Sequence, residues 1–284
     1  MSNKSARLLY RLWIDRTIRA MSVLSVVVAI VPLGLVLWYV VSHGIGGIDF
    51  DFFTELPKPV GEKGGGMANA IFGTLELVGL AALFGIPPGV LAGIFLSEFG
   101  DRRFGKVVRF SADVMSGIPS ITVGLFVYAL VVLSTKQFSA WAGGIALAIL
   151  MLPTVTRTTE ELLKLVPETL REAALGLGAP RYRATLSVVL RTALPGIVTG
   201  IMLAVARVAG ETAPLLFTAF NNRYWSTSPN EPTASLPVQI YTYAVSPYED
   251  WHRQAWAAAA VLVLMVLVLN LFARLLVRHR VKAT

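Results

Sequence analysis

Arg207 and Glu211 lie four positions apart in the apolar stretch "ARVAGETAPLLF" (206–217), and they are the only charged residues between Thr192 and Phe220. An ionised side chain at the centre of a bilayer costs at least about 2.5–3.5 kcal/mol, so such groups face a bundle interior or a watery path. Two readings are open. On a continuous helix, residues four apart share a face and can neutralise each other. Alternatively, the planar guanidinium, whose paired N–H donors suit oxyanions, serves an anion pathway with Glu211 holding it in place. The favourable helical order puts glutamate before the cation, whereas here arginine comes first, which weighs toward the pathway. Thr212 adds a hydroxyl, and Gly210 and Pro214 loosen the backbone around the pair. Glu76 is a second acid inside an apolar run and a candidate partner for Arg207 or for another subunit.

Other chemistry is poorly provided for. The chain has no cysteine, which removes disulfides, thiolate metal sites and thiol nucleophiles. His43, His252 and His279 fall far apart near the ends of apolar runs, an arrangement unsuited to a metal site. The glycine-rich "GEKGGG" (61–66) lacks the G-x-x-x-x-G-K-[ST] spacing of a phosphate-cradling loop and follows no strand. It reads as a flexible linker. No such motif occurs elsewhere, so ATP hydrolysis is not expected of this chain by itself, and no cofactor is expected to bind it.

The elements that must carry these residues are long and apolar. Of 284 residues, 55% are hydrophobic and 15% charged, with a mean hydropathy of +0.65. Six runs are long enough to span a bilayer: 20–42, 68–97, 110–134, 139–155, 192–220 and 255–273. The first lacks a small-residue cleavage site and reads as a retained helix. The fold class is therefore all-α polytopic membrane protein with six transmembrane helices.

Charge sets the orientation. Five basic residues precede position 20, four lie in 98–109, six in 156–191 and four from Arg274 onward, while the alternate loops share five. That asymmetry places both termini in the cytoplasm, and it explains the net charge of +8 without nucleic acid. Arg207 is the one basic residue left inside a span. The domain plan is then a cytoplasmic segment 1–19, a first transmembrane helix 20–42, an outer loop 43–67 and a core 68–277. Within the core lie a cytoplasmic loop 156–191 and an outer loop 221–254, and a cytoplasmic tail 278–284 follows.

Prolines interrupt several spans. "SGIPSITVGLF" (116–126) brings Pro119 and Ser120 together with small residues, which suits either a hinge or gate or a close helix crossing. Asp113, near the inner end of that run, is placed to sit among headgroups or to pair with Arg109. In loop 156–191, Pro167 can open a short helix with Glu168 at its positive end, and Gly176 or Gly178 can take the left-handed conformation that ends it. Pro180 opens the next helical run. The aromatics of loop 221–254 suit an interfacial belt or a docking face for an external partner, and "SLPVQIYTYA" reads as a short helix lying on the membrane.

"EAALGLG" (172–178) followed by "VVLRTALP" resembles the E-A-A-x-x-x-G loop of permease subunits in binding-protein-dependent ABC importers. By position, Glu172, Ala173, Ala174 and Gly178 match it. Arg191 stands where that family often has proline, and Leu194–Pro195 follows. "RVAGETAPLLFTA", "WSTSP" and "GIPSITVGLF" are similar to the A-type (PstA) permease subunits of phosphate importers, from about residue 65 to 274. The resemblance implies a type I ABC importer (MetI-like) transmembrane domain in the cytoplasmic (inner) membrane. It implies a coupling helix seated on a cytoplasmic ATPase dimer (PstB-like) that uses ATP and Mg. It also implies a second permease subunit (PstC-like), an extracytoplasmic phosphate-binding protein, and a phosphate pathway involving Arg207, Glu211, Thr212 and Glu76. Charge does not choose phosphate over molybdate or sulfate; the loop argues against a secondary anion transporter, and a non-transporting membrane scaffold would tolerate apolar residues in place of Arg207 and Glu211.

Overall fold

The computed structural model describes residues 2–62 and 64–282, with side chains from 10 to 275. Among these residues the regular structure is entirely helical. The helices are α1 (Ser2–Gly44), α2 (Phe50–Thr54), α3 (Ala68–Phe99) and α4 (Arg103–Gly117). They continue with α5 (Ser120–Thr135), α6 (Ala140–Lys164), α7 (Glu168–Gly176) and α8 (Arg181–Ala209). The series ends with α9 (Ala213–Thr218), α10 (Leu236–Ala244) and α11 (Glu249–Lys282).

The bundle is organised around α6. Two-thirds (67%) of its most apolar window is buried, against none of the window in α1. Ser139 caps α6 by accepting a hydrogen bond from the Ala142 N–H (3.2 Å). The expected span 139–155 is the shortest of the six, but the helix runs to Lys164, because charged residues from Arg157 onward continue it beyond the apolar stretch. Against it lies α3, in close approach along a stripe of glycines at positions 85, 89 and 93. A Cβ added to Gly89 would stand 2.8 Å from Val155 Cγ1, and one at Gly93 would stand 2.8 Å from the Thr156 carbonyl oxygen. Small residues let the two helices meet backbone to side chain and lock their register.

Two expected spans are broken. The run 110–134 is not one helix: α4 and α5 meet at 104°. Pro119 has no N–H to donate and drives Ile118 into an extended conformation (φ −73°, ψ 130°), which ends α4. A helix over Ser120–Thr135 is about 24 Å long, short of a hydrocarbon core of about 30 Å, so the bend and the end of α4 belong to that crossing. The run 192–220 likewise ends at Ala209 and resumes as α9 after Gly210–Thr212. Both α5 (Tyr128–Val132) and α8 (Ala184–Val189) contain a π-helical stretch.

The first helix runs without a break. Residues before 20 continue the helix, so no boundary separates the expected segments 1–19 and 20–42. A helix of this length reaches about 64 Å, and it touches the remaining chain mainly through its end. Gly44 packs on Trp256 and Ala260, and Gly47 on Arg253 and Ala257. Tyr39 stacks on His43 (ring centroids 3.9 Å) and meets Trp256 edge-on.

The outer loops are folded rather than loose. In the 43–67 loop, Asp49 caps α2 by accepting from the Phe52 N–H (2.8 Å), and Phe52 is buried with Met67, Leu236 and Tyr243 in a second core. Of the linker expected to be flexible at 61–66, Gly64 and Gly66 are held by hydrogen bonds. Gly61, Gly64 and Gly65 have positive φ, the Gly66 N–H donates to the Leu56 carbonyl, and Gln254 Nε2 donates to the Gly64 carbonyl (2.9 Å). The helix expected on the membrane surface is α10, but it is tucked inward: Leu236, Val238, Gln239 and Tyr243 are buried. The Thr74 hydroxyl of α3 accepts from the Leu236 N–H (2.8 Å) and pins its start.

Candidate functional site

Arg207 occupies the last turn of α8, where its charge meets the negative end of the helix dipole. Glu211 lies beyond that end, in the three-residue break before α9. The Gly210 N–H donates to the Arg207 carbonyl and the Glu211 N–H to the Val208 carbonyl (both 3.2 Å), closing the end of α8. The two side chains therefore face each other across a helix terminus rather than along one helical face. Arg207 Nε is 4.0 Å from Glu211 Oε1, and the side chains are 55% and 19% exposed. This is the outer edge of ion-pair distance, so among the described residues the guanidinium keeps N–H donors without a partner. Thr212 completes the break, and its carbonyl accepts from Leu215 and Leu216 to start α9.

The two regions expected to hinge are brought together. Gly124 of α5 packs on Pro214 of α9 so tightly that an added Cβ would lie 2.6 Å from the Pro214 Cα. The bend at Pro119–Ser120 and the break at Gly210–Pro214 thus share a joint, and displacement of one is felt by the other. Glu76 does not join them. Among the described residues it makes no ion pair with Arg207, and its buried Oε2 has no hydrogen-bond partner. The expected pairing of Glu76 with Arg207 is not present in this conformation.

The coupling-loop residues form the expected short helix. Pro167 precedes α7, Glu168 stands in its first turn, and Gly178 has φ +82°. The Gly178 N–H donates to Leu175 and the Ala179 N–H to Ala174 (2.9 and 3.1 Å), the hydrogen-bond pair of a Schellman cap. Of the two candidate glycines, Gly178 takes the left-handed position. No residue of α7 is buried, and Glu172, Ala173 and Gly178 are exposed. Arg171 alone turns inward, to Glu98 at the end of α3.

A cluster that sequence reasoning missed lies at the inner end of α6. Glu160 is 1% exposed, and it accepts from Arg109 Nη2 (2.5 Å), Arg157 Nη1 (2.7 Å) and Lys164 Nζ (2.7 Å). Asp113 does not pair with Arg109 as expected. It binds Arg157 Nε (3.1 Å), because Arg109 is already committed to Glu160. The local spacing of Arg157, Glu160 and Lys164 is visible in the sequence, but the contribution of Arg109, from another helix, is not. The network fastens α4 to α6 just before the bend at Pro119.

In the 221–254 segment, Tyr243 stacks on Trp251 (4.3 Å), and burial pushes its hydroxyl above the usual phenol range. Arg223 lies over the Trp251 ring, while Tyr224, Trp225 and Tyr241 are exposed. Among the described residues no cluster of histidine and carboxylate side chains is placed to hold a metal. The His279 side chain lies outside those described.

An all-helical fold with, among the described residues, five helices long and apolar enough to cross a membrane, six if α4 and α5 count as one bent span, agrees with what comparison with known proteins finds. The model of the binding-protein-dependent transport system inner membrane component family matches residues 89–283. The chain belongs to this family. A Haemophilus influenzae relative named phosphate transport system permease protein PstA is 45% identical over 98% of this chain and 99% of its own length. The protein of the same name from Xylella fastidiosa is 48% identical over 86% of each chain. A Mycobacterium tuberculosis relative, PstA 1, is 38% identical over 89% of this chain and 84% of its own. Among solved structures, a chain of a bacterial alginate ABC transporter matches with TM-score 0.63 at 19% identity, covering 97% of this permease and 99% of that chain. A chain of the inward-facing MetNI methionine transporter matches with TM-score 0.59 at 19% identity, covering 75% and 96%. At that identity they speak for the fold, a MetI-like type I importer transmembrane domain. The permease is a multi-pass membrane component of a transport system.

Proposed function

We infer that the chain is a permease subunit of an ATP-driven importer that carries inorganic phosphate across the cytoplasmic membrane, with both termini on the cytoplasmic side. The observation that carries this is the near full-length identity to phosphate permease subunits, which selects phosphate where charge alone admits molybdate or sulfate. The geometry at Arg207 supports an anion as cargo.

In this reading ATP and Mg are used by a separate cytoplasmic ATPase dimer, PstB-like, and this chain contributes no catalytic residue. Glu172, Ala173 and the following Gly178 present exposed surface to that ATPase, with the half-buried Ala174 beside them. Ala173 and Ala174 allow close approach, and the Gly178 turn makes the helix protrude. A PstC-like second permease subunit completes the pathway, and an extracytoplasmic phosphate-binding protein delivers the anion to the outer segments.

Transport proceeds by alternating access. Closure of the ATPase dimer displaces α7, and the bends at Pro119–Ser120 and Gly210–Pro214 change angle together through the Gly124–Pro214 contact. Arg207 donates hydrogen bonds to the passing phosphate oxygens. Glu211 competes for the same guanidinium, which keeps the anion from binding too tightly to leave. Thr212 and the unpaired carboxylate of Glu76 border the route. The deciding experiment reconstitutes the chain with the second permease, ATPase and binding protein in liposomes. Phosphate is expected to stimulate ATP hydrolysis and to accumulate in the compartment on the ATPase side, and equal stimulation by molybdate or sulfate would assign another cargo.

A further inference from the structure

The coupling helix α7 is attached to the bundle in an uneven way. It packs on the π-helical start of α8, which is simply the chain continuing, and none of its residues is buried. Among the described residues its one ion pair to a different core helix joins Arg171 to Glu98. Those side chains are only 19% and 17% exposed, although both belong to helix ends at the cytoplasmic boundary. Glu98 stands in the last turn of α3, where a negative charge opposes the helix dipole, so its placement needs a cation. Arg171 provides it, and Glu168 steadies the same guanidinium from 3.8 Å. Arg181 and Thr185 complete the polar cavity around them. Beyond Glu98, α3 is locked to α6 by the glycine stripe at 85, 89 and 93, so a force on its end moves the central pair of helices together.

We propose that the Arg171–Glu98 ion pair is the strut through which the coupling helix drives α3, making Glu98 and Arg171 positioning residues for transport. The proposal rests on the importer reading. Without the strut, α7 pivots on its connection to α8 and the ATPase stroke reaches the α3–α6 pair weakly.

The test uses the complete reconstituted complex and two measurements. Glu98→Gln is expected to assemble with the ATPase and to lower phosphate carried per ATP hydrolysed by about 2- to 30-fold, the range for residues along a coupling network. The exchanged pair, Glu98→Arg with Arg171→Glu, puts each charge at the helix end that favours it and is expected to restore the ratio. Spin labels on Leu91→Cys in α3 and Leu177→Cys at the end of α7, in a chain without native cysteine, give a readout independent of cargo. Adding ATP should leave their separation unchanged with Glu98 present and shift it in the Glu98→Gln background. An unaltered transport ratio, failure of the exchanged pair to restore it, or the same label response in both backgrounds overturns the strut. A wild-type complex that phosphate fails to stimulate refutes the cargo instead, and leaves the label measurement to decide the strut.

Discussion

Arg207 Nε stands 4.0 Å from Glu211 Oε1 across the end of a helix, with the arginine the more exposed of the two. A pair built for stability would be shorter and more enclosed. This one leaves donors free at a break in the backbone, next to a proline that packs on another broken span.

Replacing Arg207 is therefore expected to remove transport rather than the fold. Arg207→Ala should assemble normally and lose uptake at least about tenfold, since a hydrogen bond to a charged group contributes about 1.5–3 kcal/mol. Uptake in cells dependent on this subunit checks it, and normal transport by an assembled variant would remove Arg207 from the pathway. Arg207→Lys should recover only part of the rate, because an ammonium cannot present a planar fork.

Glu160 tells the opposite story. It is buried beneath three cations, so Glu160→Leu takes the partner from Arg109 and Lys164 and leaves Arg157 only Asp113 and Glu161. Because those cations are 25–50% exposed, the loss stays below the roughly 3–5 kcal/mol of breaking a fully buried pair, and the variant should show a lowered unfolding temperature in detergent. Arg109→Ala, from the neighbouring helix, should lower it by a smaller amount because two cations remain on Glu160.

The contact between Gly124 and Pro214 has no room for a side chain. Gly124→Val should disturb the α5–α9 joint by about 1–3 kcal/mol of overpacking. It should impair uptake while leaving co-purification with the ATPase intact, since α7 is remote from that joint. Loss of ATPase binding together with transport would instead indicate general misfolding.

Gly178 offers a test confined to α7 and its cap. At φ +82°, Gly178→Val meets the Cβ clash of the left-handed region, about 1–2 kcal/mol, and unwinds the Schellman cap. Co-purification with the ATPase should fall, whereas Gly176→Ala, in ordinary helical backbone, should have little effect.

Much of this architecture is legible in the linear chain because a bilayer admits few solutions. An apolar run of about 20 residues must satisfy its own backbone hydrogen bonds, which leaves a helix. The asymmetry of lysine and arginine then orients those helices. The short coupling helix is equally local: Pro167, Glu168 and Gly178 act within one or two turns. The charge of Arg207 is conspicuous because everything around it is apolar.

Only the tertiary structure decides how these pieces meet. The runs 110–134 and 192–220 look continuous because hydropathy is blind to a bend, while Pro119 and Gly210–Pro214 break them at angles that neighbouring helices set. The Glu160 cluster depends on Arg109, 51 residues away, and the strut joins Glu98 to Arg171 across 73. Periodicity registers which residues share a helix face, since it reflects the backbone's own geometry. Which faces oppose each other depends on side-chain shape at every crossing, as where Gly89 admits Val155 and Gly124 admits Pro214, and that is a property of the packed bundle alone.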